Sequence, residues 1–499
     1  MDTPAMKTSW TCRALGIFLG ALAPTISYAQ EPFYNAPNAG YGQPVFEQPS
    51  ANTQGTPNYF ADDVAPQHLP EVYGPGETVS AASYYNLLDR VEALEADKAE
   101  DACKEVEILS KPTQKWSGRV HFDYWHFPDE SALPNFLDTG NAATSPPDFI
   151  GFRRLRYGVS GDINETMNYK IEMEFASPDS LAFKDAYLGW TELPWLHTVL
   201  LGNQKRPYGL DHLNSSRYNV FMERPFVIEA FNQDARRLGL QSYGVSDNEA
   251  WNWRFGTFAM QDLSKPGHQY ADNYQSEIAG RLANTIWYDE TSGGRGYAHW
   301  AVSGSAAFPS GGGTDRFRTR PESRTDGKWF DTGVLGASNY QLLGLESVIN
   351  VGALSIVGEY QTVHANRTAA PNTNFGGGYV YVAYWLTGEY TPWERDSGTL
   401  GRTKPLENFW LVNRCDGCRS YGWGAWQIAA RYSYCDFTDQ DVFGGVGESA
   451  TLGVNWWWNS HARVQFNYIN GRISDRVVAG APSTAGWYDA LGLRFMVDF

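Results

Sequence analysis

The amino-acid sequence predicts an all-β transmembrane barrel of about 16 antiparallel strands, preceded by an N-terminal linker and a short coiled-coil helix. Three observations predict it: a terminal segment with apolar residues at every second position, further alternating segments throughout residues 116–499, and a composition rich in aromatics and glycine. In a strand, successive side chains point to opposite faces, so alternation gives one apolar face and one polar face.

The terminal segment is the clearest case. Leu491, Leu493, Phe495, Val497 and Phe499 alternate with Gly492, Arg494, Met496 and Asp498. A closing aromatic on such a strand is similar to the C-terminal signal that outer-membrane barrels present to the barrel-assembly machinery. Earlier segments repeat the pattern. Gly118, Val120, Phe122 and Tyr124 alternate with Arg119, His121 and Asp123, and Met167, Tyr169, Ile171, Met173 and Phe175 with Asn168, Lys170, Glu172 and Glu174. Trp426, Ile428, Ala430, Tyr432 and Tyr434 alternate with Gln427, Ala429, Arg431 and Ser433, and Val464, Phe466 and Tyr468 with Arg463, Gln465 and Asn467. Placing the charged face in lipid would cost about 2–4 kcal/mol for each midplane basic residue, so it is assigned to the lumen. Residues 116–499 number 384; at roughly 24 residues per strand with its connections, about 16 strands fit. A barrel of that size encloses an aqueous channel and is expected to lack an ordinary apolar core.

Composition agrees. The chain holds 19 Trp, 29 Tyr, 26 Phe and 50 Gly. Its mean hydropathy is −0.43, and beyond the N-terminus no apolar run approaches the roughly 18 residues of a membrane helix. Membrane strands escape hydropathy windows because lipid-facing and lumen-facing residues alternate. The polar stretches 308–328 and 395–422 are expected to be outer loops, and Asn459-Ser460 a tight periplasmic turn. Gly311-Gly312-Gly313 and Gly376-Gly377-Gly378 lack the context of a nucleotide-binding loop and read as turns.

The N-terminal part divides into three. Residues 1–29 read as a signal peptide: Lys7 and Arg13 precede an apolar stretch, and Ser27-Tyr28-Ala29 forms a cleavage site. An uncleaved anchor helix is the alternative. Residues 30–82, rich in Pro, Gly and Asn, read as a linker. Over 83–111, Tyr84, Leu87, Val91 and Leu94 fall at heptad spacing, and Ala99, Ala102, Val106 and Leu109 continue it after a one-residue slip. That spacing predicts a coiled coil; a helix lying on or plugging the barrel is the alternative. Residues 30–112 hold 14 acidic and 4 basic side chains, so more than half of the net charge of −17 resides there. Overall charge is therefore a poor guide to the lumen, where local placement governs.

Cys415 and Cys418 flank a turn and are candidates for a disulfide in an oxidising compartment. Cys103 and Cys435 read as structural. No His-Glu-x-x-His, Gly-x-Ser-x-Gly or compact metal spacing is present. No metal, cofactor or nucleic-acid partner is expected.

Several blocks resemble the phosphate-selective porin O/P family. They are Phe152-Arg153-Arg154-Leu155-Arg156 with Gly158 and Gly161, Lys184-Asp185-Ala186-Tyr187-Leu188, the Gly202–Leu210 run, Ser215-Ser216, Phe221-Met222-Glu223-Arg224 and Arg236-Arg237-Leu238-Gly239. Leu386-Thr387-Gly388-Glu389, the Gly424–Ser433 run and Gly453-Val454-Asn455-Trp456-Trp457 follow in the family's order. The resemblance implies a trimeric, 16-stranded, non-catalytic porin of the bacterial outer membrane, in contact with its lipid. It also implies that lumenal arginines and constriction-loop lysines draw in small anions such as phosphate or polyphosphate.

Arginine offers a planar fork suited to phosphate oxygens, and lysine a compact charge. Conduction needs repeated weak sites rather than one tight one. The candidates for the anion pathway are Arg153, Arg154, Arg156, Lys205, Arg206, Arg217, Arg224, Arg236, Arg237 and Arg431. In a regular strand only one of Arg153 and Arg154 points inward, and Arg154 shares a face with Arg156. Arg217 and Arg224 have an alternative role, pairing with Asp211 or Glu223, and Arg431 could balance a wall carboxylate. Two other functions compete: a weakly selective porin that also tethers the envelope, through cell-wall contact by the N-terminal segment, and an outer-membrane enzyme.

Overall fold

The computed structural model describes residues 85–96, 98, 112–128, 130–176, 181–232, 236–262, 274–310, 313–413 and 419–499. The signal peptide, the linker, most of 83–111, and Cys103, Cys415 and Cys418 lie outside them. Residues 85–96 are helical, with Leu87, Val91 and Leu94 exposed.

The barrel has sixteen strands in sequence order. They are β1 (Lys115–His126), β2 (Phe149–Asn164), β3 (Met167–Glu174), β4 (Ala182–Leu193), β5 (His197–Gln204), β6 (Arg237–Val245), β7 (Trp251–Ala259), β8 (Ser276–Tyr288) and β9 (Gly296–Phe308). After the short ribbon β10–β11 (Arg318–Thr319, Phe330–Asp331) come β12 (Ala337–Val351), β13 (Leu354–Arg367) and β14 (Thr373–Trp385). The ribbons β15–β16 (Trp393–Glu394, Thr399–Leu400) and β17–β18 (Phe409–Asn413, Arg419–Trp423) precede β19 (Ala425–Asp439), β20 (Val442–Trp457), β21 (Ala462–Arg476) and β22 (Gly486–Asp498). Antiparallel pairing of β1 with β22 closes the ring, with Asp123 opposite Arg494. Closure satisfies the backbone hydrogen bonds that lipid cannot.

The alternation in the sequence sets the faces. On β22, Phe495, Val497 and Phe499 are exposed outward, while Arg494, Met496 and Asp498 are buried inward. On β19, Ile428, Tyr432 and Tyr434 face out, and Gln427, Arg431 and Ser433 face in. At the end that carries Phe499, most strand connections take two to seven residues; at the other end they reach 32. Short turns mark the periplasmic side. The Asn459-Ser460 turn lies there, as expected. Of residues 395–422, the described 395–413 and 419–422 also lie there, between β14 and β19, rather than in an outer loop. Polarity alone identified a connection without saying at which end it falls; counting strands settles the end.

The interior is not the plain aqueous channel that barrel size implies. The described residues of three connections turn inward: 205–236 (β5–β6), 309–336 (β9–β12) and 386–404 (from the β14–β19 connection). The first two bring Phe226, Phe231, Phe317, Trp329 and Phe330 against Tyr340, Phe375, Phe437 and Tyr488 of the wall, forming a buried apolar core inside the barrel. Phe226 and Phe330 meet edge to face with centroids 5.1 Å apart, as do Phe231 and Phe317 at 5.3 Å. The wall accommodates this core because its inward face is apolar in places, at Val348, Val357 and Val363.

Gly376–Gly378 lie within β14 and form no turn. A Cβ at Gly377 would come within 2.2 Å of the Tyr434 carbonyl oxygen and 2.9 Å of Val227 Cγ1. Glycine is needed there for close approach of the wall and the inward connection. Gly377→Leu should therefore destabilise the folded protein by about 1–3 kcal/mol. The check is the temperature at which the refolded protein loses its compact mobility on unheated SDS gels, expected to fall relative to wild type.

Candidate permeation pathway

The 205–236 connection is pinned to one side of the lumen by its own backbone. Inward donors of β19–β22 reach four of the five carbonyls from Asn219 to Glu223. Arg463 Nη2 donates to the Asn219 carbonyl at 2.8 Å, Asn455 Nδ2 to Val220 at 2.9 Å and Gln465 Nε2 to both. Arg494 Nη1 donates to the Met222 carbonyl at 2.5 Å, and Arg431 Nη1 to that of Glu223 at 2.9 Å. Phe221, between them, packs under the Arg431 guanidinium. Gly492 keeps the wall clear for Met222, whose sulfur would lie 2.9 Å from a Cβ there.

Glu223 is the hub. It accepts from Arg153 Nε at 2.7 Å, Arg153 Nη2 at 2.9 Å and Arg494 Nη2 at 2.9 Å. Burial would raise its carboxyl's pKa, but the Arg153 and Arg494 guanidiniums override that and hold it well below the usual carboxylate range. A β-bulge makes this possible. His121 pairs with Arg154 while Phe122 pairs with Phe152, leaving Arg153 as the extra residue. A bulge re-aims a side chain, so Arg153 and Arg154 both point inward, contrary to the regular-strand expectation. A second irregularity sets Lys184 and Asp185 together opposite Glu172, between the Ile171–Ala186 and Met173–Phe183 pairs.

At least seven of the ten candidate residues sit in ion pairs. Arg153 pairs with Glu223, Arg156 with Glu174 and Glu172, Arg206 with Glu277, and Arg217 with Asp498. Arg224 pairs with Asp211, Arg236 with Asp185, and Arg431 with Glu322 of the 309–336 connection. The alternative reading of Arg224 thus describes its contacts, and Arg431 does balance a carboxylate, though one from a loop and not from the wall. Arg154 Nη1 lies 3.3 Å from His121 Nδ1 in a buried pocket. Arg237 opens β6 opposite Gln204. Lys205 donates to the carbonyls of Leu213 and Asn214 at 2.7 and 3.0 Å; burial, with Arg236 and Arg224 nearby, pushes its ammonium well below its ordinary range.

Exposure separates the two sides of the lumen. Asn455, Gln465, Arg463 and Arg494 are sealed beneath the 205–236 connection. On the opposite side, Arg153 and Lys170 keep 23% and 33% of their side-chain surface, and Lys184, Tyr243 and Arg254 are partly exposed. Water-accessible space therefore runs along β2–β7. Its basic groups are Arg153, Arg156, Lys170, Lys184, Lys205, Arg224, Arg236 and Arg254; its acidic groups are Glu172, Glu174, Asp185, Asp211, Glu223 and, on the 386–404 segment beside Arg254, Asp396. Lys184, Lys205 and Arg254 have no carboxylate within ion-pair distance among the described residues. Lys170, Lys184 and Arg254 were absent from the candidates, although strand alternation marks Lys170 as lumenal. Arg254 needed the third inward segment to be recognised: its Nη2 donates to the Ser397 carbonyl at 2.9 Å.

That segment, 386–404, enters from the periplasmic end. Trp393 packs on His299, centroids 4.4 Å apart, and its indole N–H donates to Thr285. Arg281 donates to the Gly398 carbonyl at 2.9 Å, and Arg402 pairs with Asp498 at 2.8 Å. The Leu400 amide donates to Asn214 Oδ1 at 3.0 Å, joining the two inward segments.

Glu223→Gln should cost about 3 kcal/mol, because Arg153 loses its charged partner in a buried setting. A lowered thermal midpoint and faster proteolysis within 205–236 are the expected readouts. The lowered carboxyl titration means that Glu223's contribution is complete at neutral pH and is lost progressively as pH falls below the ordinary glutamate pKa and down through that depressed value. The wild-type proteolysis rate at pH 5 should therefore match that at pH 7.

The model of the family described as phosphate-selective porin O and P matches residues 115–499. An uncharacterized protein of Caulobacter vibrioides is 29% identical over 324 residues, covering 63% of this chain and 61% of its own length. The chain thus spans less than two thirds of that relative. Porin O of Pseudomonas aeruginosa is 24% identical over 400 residues, 72% of this chain and 82% of its own. Among solved structures, the anion-selective porin from Comamonas acidovorans aligns with a TM-score of 0.46 at 13% identity, over 77% of this chain and 100% of that one. With the family match running from β1 to the terminal Phe499, the chain belongs to the phosphate-selective porin O and P family and is an outer-membrane β-barrel.

Proposed function

We propose that this porin passes small anions, phosphate or polyphosphate among them, by passive diffusion along the β2–β7 side of its lumen, as a homotrimer. The observation that carries this reading is the surplus of basic groups on the exposed side, where Lys184, Lys205 and Arg254 have no carboxylate within ion-pair distance among the described residues. An anion entering there meets guanidinium and ammonium groups that replace part of its hydration. It also opposes the downward shift of the Lys205 ammonium, because a nearby negative charge favours the protonated form.

The ion pairs on at least seven candidates favour a second reading, a weakly selective porin, since a paired arginine contributes little net field. The exposed stripe Leu87, Val91 and Leu94 on the 85–96 helix supports self-association or an envelope tether by the same chain.

Single-channel recording in a salt gradient separates these readings. Anion-selective reversal with phosphate-dependent block is expected. Lys184→Ala and Arg254→Ala should each remove on the order of 1 kcal/mol of attraction for a passing anion, a roughly fivefold fall in the anion-over-cation permeability ratio. Reversal at zero potential in the wild type would leave a general porin, and silence from verified folded protein would leave the tether.

A further inference from the structure

The β17–β18 hairpin takes no part in the permeation pathway, and it bares more large apolar side chains than the short periplasmic turns, among which β4–β5 exposes Trp195 and Leu196. Phe409 pairs with Trp423, Trp410 with Gly422 and Leu411 with Tyr421. Trp410, Tyr421 and Trp423 are 59%, 67% and 76% exposed. Leu411 is exposed as well, so large apolar side chains stand bare at consecutive positions rather than along one face.

The hairpin is tied to the lipid-facing wall at its periplasmic rim. The Phe409 amide donates to the Trp458 carbonyl at 2.7 Å, and the indole N–H groups of Trp456 and Trp426 both donate to the Trp423 carbonyl, at 2.9 and 3.2 Å. Trp456 and Trp426 stack at 5.1 Å on the outer face of β20 and β19, and Phe409 meets Trp456 edge-on at 4.7 Å. The outward apolar surface of the barrel thus continues without a break onto the hairpin.

We propose that this hairpin inserts into the headgroup–acyl boundary of the inner, phospholipid leaflet and anchors the periplasmic rim there. Indoles and phenols settle at that boundary, where the ring is wetted at one edge and apolar over its face. The sector of the ring argues for lipid over a second copy of the chain. β19 and β20 are 15 and 16 residues long and span the apolar band. Diametrically across the sixteen-strand ring lies β5, of 8 residues, beside β6 and β7 of 9 each. Eight residues tilted by ~45° reach about 19 Å, short of the ~25 Å band, so that side is the one suited to a neighbouring barrel. Apolar side chains at consecutive positions also fit immersion, whereas packing on a neighbour would need only one face. The inference rests on the outer-membrane reading.

The test uses the full chain in phosphatidylethanolamine–phosphatidylglycerol vesicles doped with a phospholipid carrying a photoreactive diazirine on its acyl chain. After irradiation, adducts are mapped by mass spectrometry. Adducts on peptides 406–412 and 419–423, alongside those bearing Tyr432 and Leu452 on the outer strand faces, are expected. Labelled strands with an unlabelled hairpin would overturn the proposal while leaving the membrane barrel intact; unlabelled strands would instead sink the outer-membrane reading. A Trp410→Ser/Tyr421→Ser/Trp423→Ser variant should lose the hairpin adducts while keeping its oligomeric state and conductance. Loss of the oligomer in that variant would overturn the proposal in favour of a contact between copies.

Discussion

The lumen of this porin is organised around backbone carbonyls that have nowhere else to go. A connection carried into a barrel must satisfy its peptide groups there or pay the desolvation cost of leaving them bare. Residues 219–223 are irregular, so they have no helix or sheet partners of their own. The wall supplies donors instead: Arg463, Gln465, Asn455, Arg494 and Arg431, arrayed along four adjacent strands. These donors hold the connection to one side, which leaves the opposite side open to water. The bore is eccentric because the hydrogen-bond partners are.

Glu223 and the bulge at Arg153 complete this arrangement from the open side. Asp123 and Glu223 together neutralise Arg494, with Asp123 Oδ1 2.7 Å from its Nε. Buried charges of this kind are tolerable only when paired and hydrogen-bonded. The pairs explain how so many arginines can line one lumen without mutual repulsion, and they leave a small number of basic groups as the source of net field. Aromatic packing of 205–236 against 309–336 fixes the outer half of the lumen, and Trp393 does the same at the periplasmic end.

Much of the fold was legible in the sequence. Period-two alternation marked the strands, the lumenal face and the last strand, and chain length gave the strand number. The limits have physical causes. A bulge inserts one residue and flips the faces locally, and nothing in Phe152–Arg156 announces it. Ion pairs such as Arg153 with Glu223, or Arg431 with Glu322, join residues 70 and 109 positions apart, so basic residues could be listed but their neutralisation could not be read. The interior core was hidden because apolar residues at alternate positions look lipid-facing; the signal lay in runs apolar on both faces, Val348-Ile349 in β12, Ile356-Val357 in β13 and Tyr379–Tyr384 in β14. Gly376–Gly378 read as a turn because glycine serves equally where two backbones press together.

The seam between β1 and β22 bears on more than closure. Arg494 of the last strand bridges Asp123 of the first strand and the Met222 carbonyl of the inward connection. Its two sequence partners stand 371 and 272 positions away. Neither side of that bridge exists in a chain still lacking its final strand. The last strand thus closes the cylinder and, through the same side chain, adds the final tie on the inward connection, so sealing the wall and locking the aperture fall in one step.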